Sequence, residues 1–166
     1  CEPYAPGTIY LKMLPDSDFE YFNAPEKTAA AHDGSYFTVG DVGYLDDDGY
    51  LFLTDRSADL IVRGGVNVYP AEVEAVLLQH PAVRDAAVVG VPNEEWGEEV
   101  KGVVEPDEHV ENGGDLEASL LEHCRAHLAR YKCPQSIDVV DRLPRSDNGK
   151  LYKRRLREHY RGTTHA

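Results

Sequence analysis

Cations are scarce through most of this chain. Its 166 residues include 17 Lys or Arg against 30 Asp or Glu, a formal charge of −13. Residues 1–141 hold nine basic and 28 acidic side chains, whereas residues 142–166 hold eight basic and two acidic. Phosphate affinity comes mainly from Lys and Arg, so the acidic bulk argues against a general nucleic-acid binder and leaves the basic tail able to grip one anion. Cysteine is also sparse. Cys1, Cys124 and Cys133 are too few and too scattered for a disulfide framework, as expected of a reducing compartment. No stretch approaches the roughly 20 apolar residues of a membrane span. No basic-then-apolar leader is visible, and a cytoplasmic location is expected. What remains, 42% apolar and 28% charged residues, is the composition of an ordinary globular protein. The chain opens on Cys1 and turn-forming Pro and Gly, as expected of a piece of a longer protein.

Residues 7–14, bounded by Gly7 and Pro15, read as a strand. Pro25 and three alanines predict a short helix over 25–31. Tyr36–Val39 and Val42–Leu45 flank Gly40-Asp41, and Asp46-Asp47-Asp48-Gly49 forms a turn returning through Tyr50–Leu53, a hairpin signal. The triple Asp is read as a solvated turn rather than a metal site. A second unit begins near Leu60. Leu60–Val62 is a buried-type strand, Arg63–Asn67 a loop, and Pro70 opens a helix over 70–79 with Val73, Val76 and Leu77 on one face. Ala86–Val91 and Val100–Val104 read as buried strands around a polar loop, 92–99. Residues 115–130 form an amphipathic helix with Leu116, Leu120, Leu121, Cys124 and Leu128 in one stripe and Asp115 or its neighbours as cap. Ser136–Val140 is a strand and 153–160 a basic helix; Gly113-Gly114 is a linker, since no Lys-Ser/Thr follows it. His123 and His127 have zinc-compatible spacing but no further ligand pair, so no metal site is assigned. The expected fold class is α+β, a small domain with a mixed or antiparallel sheet and packed helices, preceded by a strand-rich segment.

Several segments carry a further signal in one order. They include Tyr36-Phe37-Thr38-Val39-Gly40-Asp41, Thr54-Asp55-Arg56-Ser57-Ala58-Asp59, Arg63-Gly64-Gly65-Val66-Asn67-Val68-Tyr69-Pro70 and His80-Pro81-Ala82-Val83. Trp96-Gly97-Glu98, Arg130-Tyr131-Lys132 and Leu143-Pro144-Arg145-Ser146-Asp147-Asn148-Gly149-Lys150 complete the set. From about residue 7 to about residue 158 the sequence closely resembles the C-terminal third of adenylate-forming enzymes, particularly AMP-forming acyl-CoA synthetases.

The resemblance implies two steps. A carboxylic acid attacks the α-phosphate of ATP, releasing pyrophosphate, and coenzyme A then displaces AMP to leave an acyl thioester. It implies a division into residues 1–57, the end of a large N-terminal domain, and 58–166, a mobile C-terminal domain that presents different faces in the two steps. Asp41 is an acceptor-only carboxylate able to take both ribose hydroxyls, or else it merely closes its turn. Arg56 matches the family's ribose-contacting arginine; its plainer role is a surface ion pair with Asp55 or Asp59. Lys150 matches the catalytic lysine, whose ammonium offsets charge between carboxylate and α-phosphate; the plainer alternative is a solvated lysine in a basic run. Ser57, Ala58 and Asp59 match the hinge. Arg63, Gly64, Gly65 and Val66 match the loop lining the CoA tunnel, where adjacent glycines admit a thin pantetheine arm. Trp96 is assigned to packing or interdomain contact before CoA stacking.

Two departures stand out. Val39 occupies the usual threonine position before Gly-Asp, and Ala58 stands where many members carry Asp or Lys at the hinge. The family's phosphate loop and acid pocket lie in the larger N-terminal domain. ATP with Mg is therefore expected to be held mainly there, and this chain alone is expected to be inactive. The expected partners are a carboxylic acid, ATP, CoA and that N-terminal domain, in a setting of fatty-acid metabolism. A peptide-synthetase adenylation domain loading a carrier protein, a luciferase-like monooxygenase and a non-catalytic binding domain are the alternatives. The loop Arg63-Gly64-Gly65-Val66-Asn67 is not Arg-rich and no carrier serine segment follows Lys150, which favours CoA.

Overall fold

A computed structural model describes residues 2–14, 19–109 and 115–163. Cys1 and the expected Gly113-Gly114 linker lie outside the described residues. Two compact units divide the chain, Cys1–Ala58 and Asp59–Ala166.

The first unit contains β1 (Gly7–Thr8), β2 (Leu11–Lys12), α1 (Pro25–Ala31), β3 (His32–Asp33), β4 (Tyr36–Phe37), β5 (Asp41–Leu45) and β6 (Leu51–Arg56). The strand expected over 7–14 is two strands serving different sheets: β1 pairs with β5, and β2 with β4. Two three-stranded sheets result, β1-β5-β6 and β2-β4-β3. An apolar run reports side-chain period but not partner, so the sequence could not show the change of sheet. Helix α1 falls where Pro25 and the alanines place it. Asp46 Oδ1 accepts the N–H groups of Asp48 and Tyr50 at 3.0 and 2.8 Å. One carboxylate of the triple Asp thus closes the β5–β6 turn.

The second unit contains β7 (Ile61–Arg63), β8 (Val66–Val68), α2 (Pro70–Leu77), β9 (Val83–Asn93), β10 (Gly97–Pro106), α3 (Leu116–His127), a 3₁₀ turn at Arg130–Lys132, β11 (Ser136–Val139) and α4 (Lys153–Thr163). Its sheet runs β11-β10-β7-β8, with β9 laddered on β10; β10–β11 is parallel and the other pairings antiparallel. The fold is α+β, as expected. The segment read as a loop over 63–67 is instead a tight hairpin, β7–β8, turning on two glycines. The polar loop 92–99 shrinks to a turn at residues 94–96, because β9 and β10 pair well beyond their apolar cores. Helix α3 ends at His127 rather than near 130, since Leu128 takes an extended conformation and its N–H closes on Cys124 O. At the other end Asp115 caps the helix by accepting from the Ala118 N–H.

Strand β9 explains the layering. Ala86 and Val88 belong to a core with Val73, Leu77, Leu120 and Cys124 from α2 and α3. Ala87, Val89 and Val91 belong to a second core with Leu143 and Leu156 of α4. A strand covered on both faces reads as an unbroken apolar run, which is why 86–91 shows no alternation. The Val88 N–H donates to Glu74 Oε1 of α2 at 2.7 Å, and Lys153 of α4 pairs with that same oxygen at 2.7 Å. One carboxylate thus satisfies a strand amide and links the helices flanking the sheet.

Candidate active-site residues

In the first unit, Asp41 opens β5 and Arg56 closes β6 directly opposite it. Arg56 Nε stands 3.4 Å from Asp41 Oδ1, an ion-pair partner that lies across the ladder. Gly40, with φ +83°, makes the bend that delivers Asp41; a Cβ there would lie 3.1 Å from Ser57 Oγ. Thr38 Oγ1 accepts the Gly40 N–H at 3.0 Å. The hydroxyl lacking at Val39 is thus supplied to this turn from one position earlier, as a brace. An open cleft of about 470 Å³ lies beside the turn, lined by Tyr21, Lys27, Thr38, Val39, Arg56 and Ala58 among others.

Ser57 and Ala58 end the first unit and Asp59 begins the second. Within the first unit the Ser57 N–H donates to Gly40 O at 2.8 Å. Within the second, Arg157 of α4 holds Asp59 Oδ1 at 2.5 Å. Ala58 therefore lies between two anchored neighbours.

Lys150 lies in a loop closed by an Arg145–Leu151 bridge. The Ser146 N–H donates to Lys150 O at 2.9 Å, the Gly149 N–H to Ser146 O at 2.8 Å, and Arg145 Nη1 to Gly149 O at 2.7 Å. Arg145 Nη2 pairs with Asp85 Oδ2 of β9. The loop is entered at Leu143, whose N–H donates to Glu105 Oε1 at 2.5 Å. Burial alone would raise the Glu105 carboxyl. The Leu143 N–H and the Arg84 guanidinium, 2.5 Å away, more than offset that and hold it below the ordinary carboxylate range. The Lys150 side chain is exposed, and among the described residues its ammonium has no hydrogen bond or ion pair.

The basic tail is less positive in effect than its composition suggests. Arg145, Lys153, Arg154 and Arg157 pair with Asp85, Glu74, Glu158 and Asp59. Half of its eight cations are thus committed within the second unit, which narrows the expected anion grip to the remainder, Lys150 among them.

The β7–β8 hairpin carries Arg63, Gly64, Gly65 and Val66. Arg63 pairs with Val66 across the turn, and Gly64 and Gly65 take φ +55° and +81°, the paired left-handed turn that suits a two-residue hairpin. A Cβ on Gly64 would come within 2.8 Å of Trp96 Cε3, and the Gly64 N–H donates to Trp96 O at 2.8 Å. Trp96 thus packs on this glycine while 45% of it stays exposed. Glu98 Oε2 accepts the Val62 N–H at 2.9 Å. Arg63 donates to Tyr131 O at 3.0 Å and to the Gln135 amide oxygen. Three of the quoted segments therefore converge on one hairpin. The helix histidines bind backbone instead: His123 Nε2 contacts Val76 O at 3.0 Å and His127 Nδ1 contacts His123 O at 2.8 Å.

The hairpin and the Lys150 loop occupy opposite ends of the β9–β10 ladder. Asp85, opposite Glu105, marks the lysine end; Asn93, opposite Gly97, marks the hairpin end. Eight residue steps along β9 separate them, about 26 Å at a strand rise of ~3.3 Å. Sequence reading missed Asp85 and Glu105 as loop anchors. They lie 60 and 38 positions from their partners Arg145 and Leu143, and no local pattern joins residues so far apart.

Residues 72–150 match the AMP-binding enzyme C-terminal domain. The chain is 47% identical over 161 residues to a 2-succinylbenzoate–CoA ligase of Geobacillus kaustophilus, covering 93% of this chain and 31% of the relative. It is 43% identical over 144 residues to the long-chain-fatty-acid–CoA ligase FadD13 of Mycobacterium tuberculosis, covering 87% and 28%. Among solved structures it resembles the o-succinylbenzoate CoA synthetase MenE of Bacillus subtilis in complex with the acyl-adenylate intermediate OSB-AMP. That match has 40% identity, a TM-score of 0.80 and coverage of 94% of this chain and 31% of the other. The same enzyme in complex with ATP and magnesium ion matches at 39% identity and a TM-score of 0.78, covering 96% and 31%. The chain thus spans under a third of the length of these relatives. The likeness is thus to the C-terminal part of acyl-CoA ligases, with residues 72–150 matching the AMP-binding enzyme C-terminal domain.

Proposed function

We propose that this chain is the C-terminal portion of an ATP-dependent acyl-CoA synthetase, whose larger N-terminal domain supplies the acid pocket and phosphate loop. One observation carries the reading: an exposed Lys150, unpaired among the described residues, and a paired-glycine hairpin stand at opposite ends of one β9–β10 ladder. A domain built this way can offer its lysine end to one step and its hairpin end to the next.

In the first step the Asp41 carboxylate accepts from the ribose hydroxyls and Arg56 orients it. The Lys150 ammonium lies between the acid's carboxylate and the α-phosphate, offsetting the charge that builds as the carboxylate oxygen bonds phosphorus and pyrophosphate leaves. In the second step the domain turns about Ser57–Asp59. The hairpin at Arg63–Val66 then lines the path of the CoA thiol, whose sulfur attacks the acyl carbonyl as AMP departs. Among the described residues no three His, Cys, Asp or Glu side chains converge to hold a cation. Magnesium is expected to arrive with ATP, held mainly by the large domain, and no step is routed through it. Acid identity is likewise left to that domain's pocket. Among the described residues no helix is long and apolar enough to cross a membrane.

The test is ATP–pyrophosphate exchange by the full-length enzyme against a panel of carboxylic acids. Acid-dependent exchange is expected. Lys150→Ala should abolish it while sparing thioester formation from supplied acyl-adenylate. Absence of exchange with every acid sinks the ligase reading.

A further inference from the structure

The Lys150 loop is braced at two points by carboxylates that are direct cross-strand partners. Asp85 and Glu105 face each other in the β9–β10 ladder, so their side chains rise from the same face of the sheet. Glu105, only 5% exposed, fixes the loop entry through the Leu143 N–H, and Leu143 is itself buried. Asp85 fixes the loop body through Arg145. The same guanidinium reaches Gly149 O, the carbonyl immediately before Lys150. Asp85 is oriented in turn, since its Oδ1 accepts the Ala86 N–H at 2.9 Å.

Arg145 is a two-ended strut. One guanidinium nitrogen holds the sheet and another holds the peptide that carries Lys150, a fork that a planar guanidinium spans and a point ammonium does not. The rest of the loop is self-contained: Ser146 Oγ donates to Asn148 Oδ1 at 2.5 Å, and the Lys150 N–H reaches the same oxygen at 3.4 Å. Among the described residues Arg145 is therefore the loop's charged tie to β9, beside the apolar packing of Leu143 and Leu151 on the core that holds Ala87 and Val89. We infer that Asp85 and Arg145 form a positioning pair that sets Lys150 for the adenylation step. The inference rests on the proposed role of Lys150. Neither residue need touch substrate; both act through where the Gly149–Lys150 peptide sits. Misplacement of a catalytic group by about 1 Å costs up to about a hundredfold in rate.

The test uses the full-length enzyme and four variants: Arg145→Ala, Asp85→Asn, their double mutant and Lys150→Ala. Each is assayed for pyrophosphate exchange and for thioester formation from supplied acyl-adenylate. Arg145→Ala and Asp85→Asn should each lower kcat for exchange by about ten- to a hundredfold, with KM for ATP changed less than about threefold and thioester formation within about twofold. The double mutant should be no worse than the poorer single, as for residues acting through one contact. Equal loss of both half-reactions, or multiplicative losses in the double mutant, would overturn the positioning role in favour of a general stabilising one. Unchanged exchange in Arg145→Ala, with Lys150→Ala inactive, overturns the positioning role alone. Retained exchange in Lys150→Ala overturns the lysine assignment and this inference with it.

Discussion

The Arg56 guanidinium and the Asp41 carboxylate meet across the β5–β6 ladder at 3.4 Å, with 53% of the arginine and 29% of the aspartate side chain exposed. Ion pairs this exposed contribute little to stability, about 0–1 kcal/mol. The pairing instead holds an acceptor-only carboxylate in one orientation beside an open cleft. Asp41→Ala in the full-length enzyme is therefore expected to raise KM for ATP about tenfold, equivalent to ~1.4 kcal/mol, while leaving the urea midpoint nearly unchanged. A shifted midpoint with unchanged KM would make the pair structural.

The two hairpin glycines are unequal in their surroundings. At Gly65 a Cβ meets nothing within 4 Å, so alanine there bears only the strain of φ +81°, of order 1 kcal/mol. At Gly64 alanine adds a clash with the Trp96 ring, and a loss of about 2–3 kcal/mol is expected. Trp96 is the chain's one tryptophan, so its fluorescence during urea unfolding reports this site directly. Equal losses at the two glycines would show that Trp96 moves aside at little cost.

Acid should loosen the lysine loop. Glu105 has an ordinary value of 4.5 that folding lowers. Its stabilising contribution is therefore fully present above about 4.5 and is lost as pH falls through the lowered folded-state value. Glu105→Gln should destabilise the second unit near pH 7. The gap between variant and wild type should narrow below about pH 4.5, as read from urea midpoints between pH 7 and 3. A constant gap would show that Glu105 acts without its charge.

Ala58 lies between Ser57, bonded to Gly40, and Asp59, bonded to Arg157. Proline at 58 fixes φ there and restricts Ser57 as well. Ala58→Pro in the full-length enzyme is expected to slow thioester formation several-fold more than pyrophosphate exchange. Equal effects on both half-reactions would move the hinge elsewhere.

Much of this protein could be read from local pattern. The helix at Pro25–Ala31 is legible because proline and alanine act within one turn. The same holds for the helix opening at Pro70 and for the double-sided burial of 86–91, which follow from residues a few positions apart. The Gly-Asp, Arg-Gly-Gly and Asn-Gly-Lys segments also carried the family resemblance. Partners were a different matter. That 7–14 divides between two sheets, and that 63–67 is a hairpin rather than a loop, depended on which strands lay alongside.

The sequence by itself therefore singled out the candidate site residues: Asp41, Arg56 and Lys150 for their side chains, and the paired glycines for the room they leave. Tertiary structure alone decided what each one faces. Arg56 meets Asp41 across the ladder, Trp96 rests on Gly64, and Arg145 joins Asp85 to the peptide before Lys150. It also decided the fate of the positive tail, where four of eight cations are spent on carboxylates from elsewhere in the second unit or on the tail helix. The physical reason is that charge and propensity belong to a residue. An ion pair belongs to a distance, and distances between residues 60 positions apart exist only once the sheet has formed.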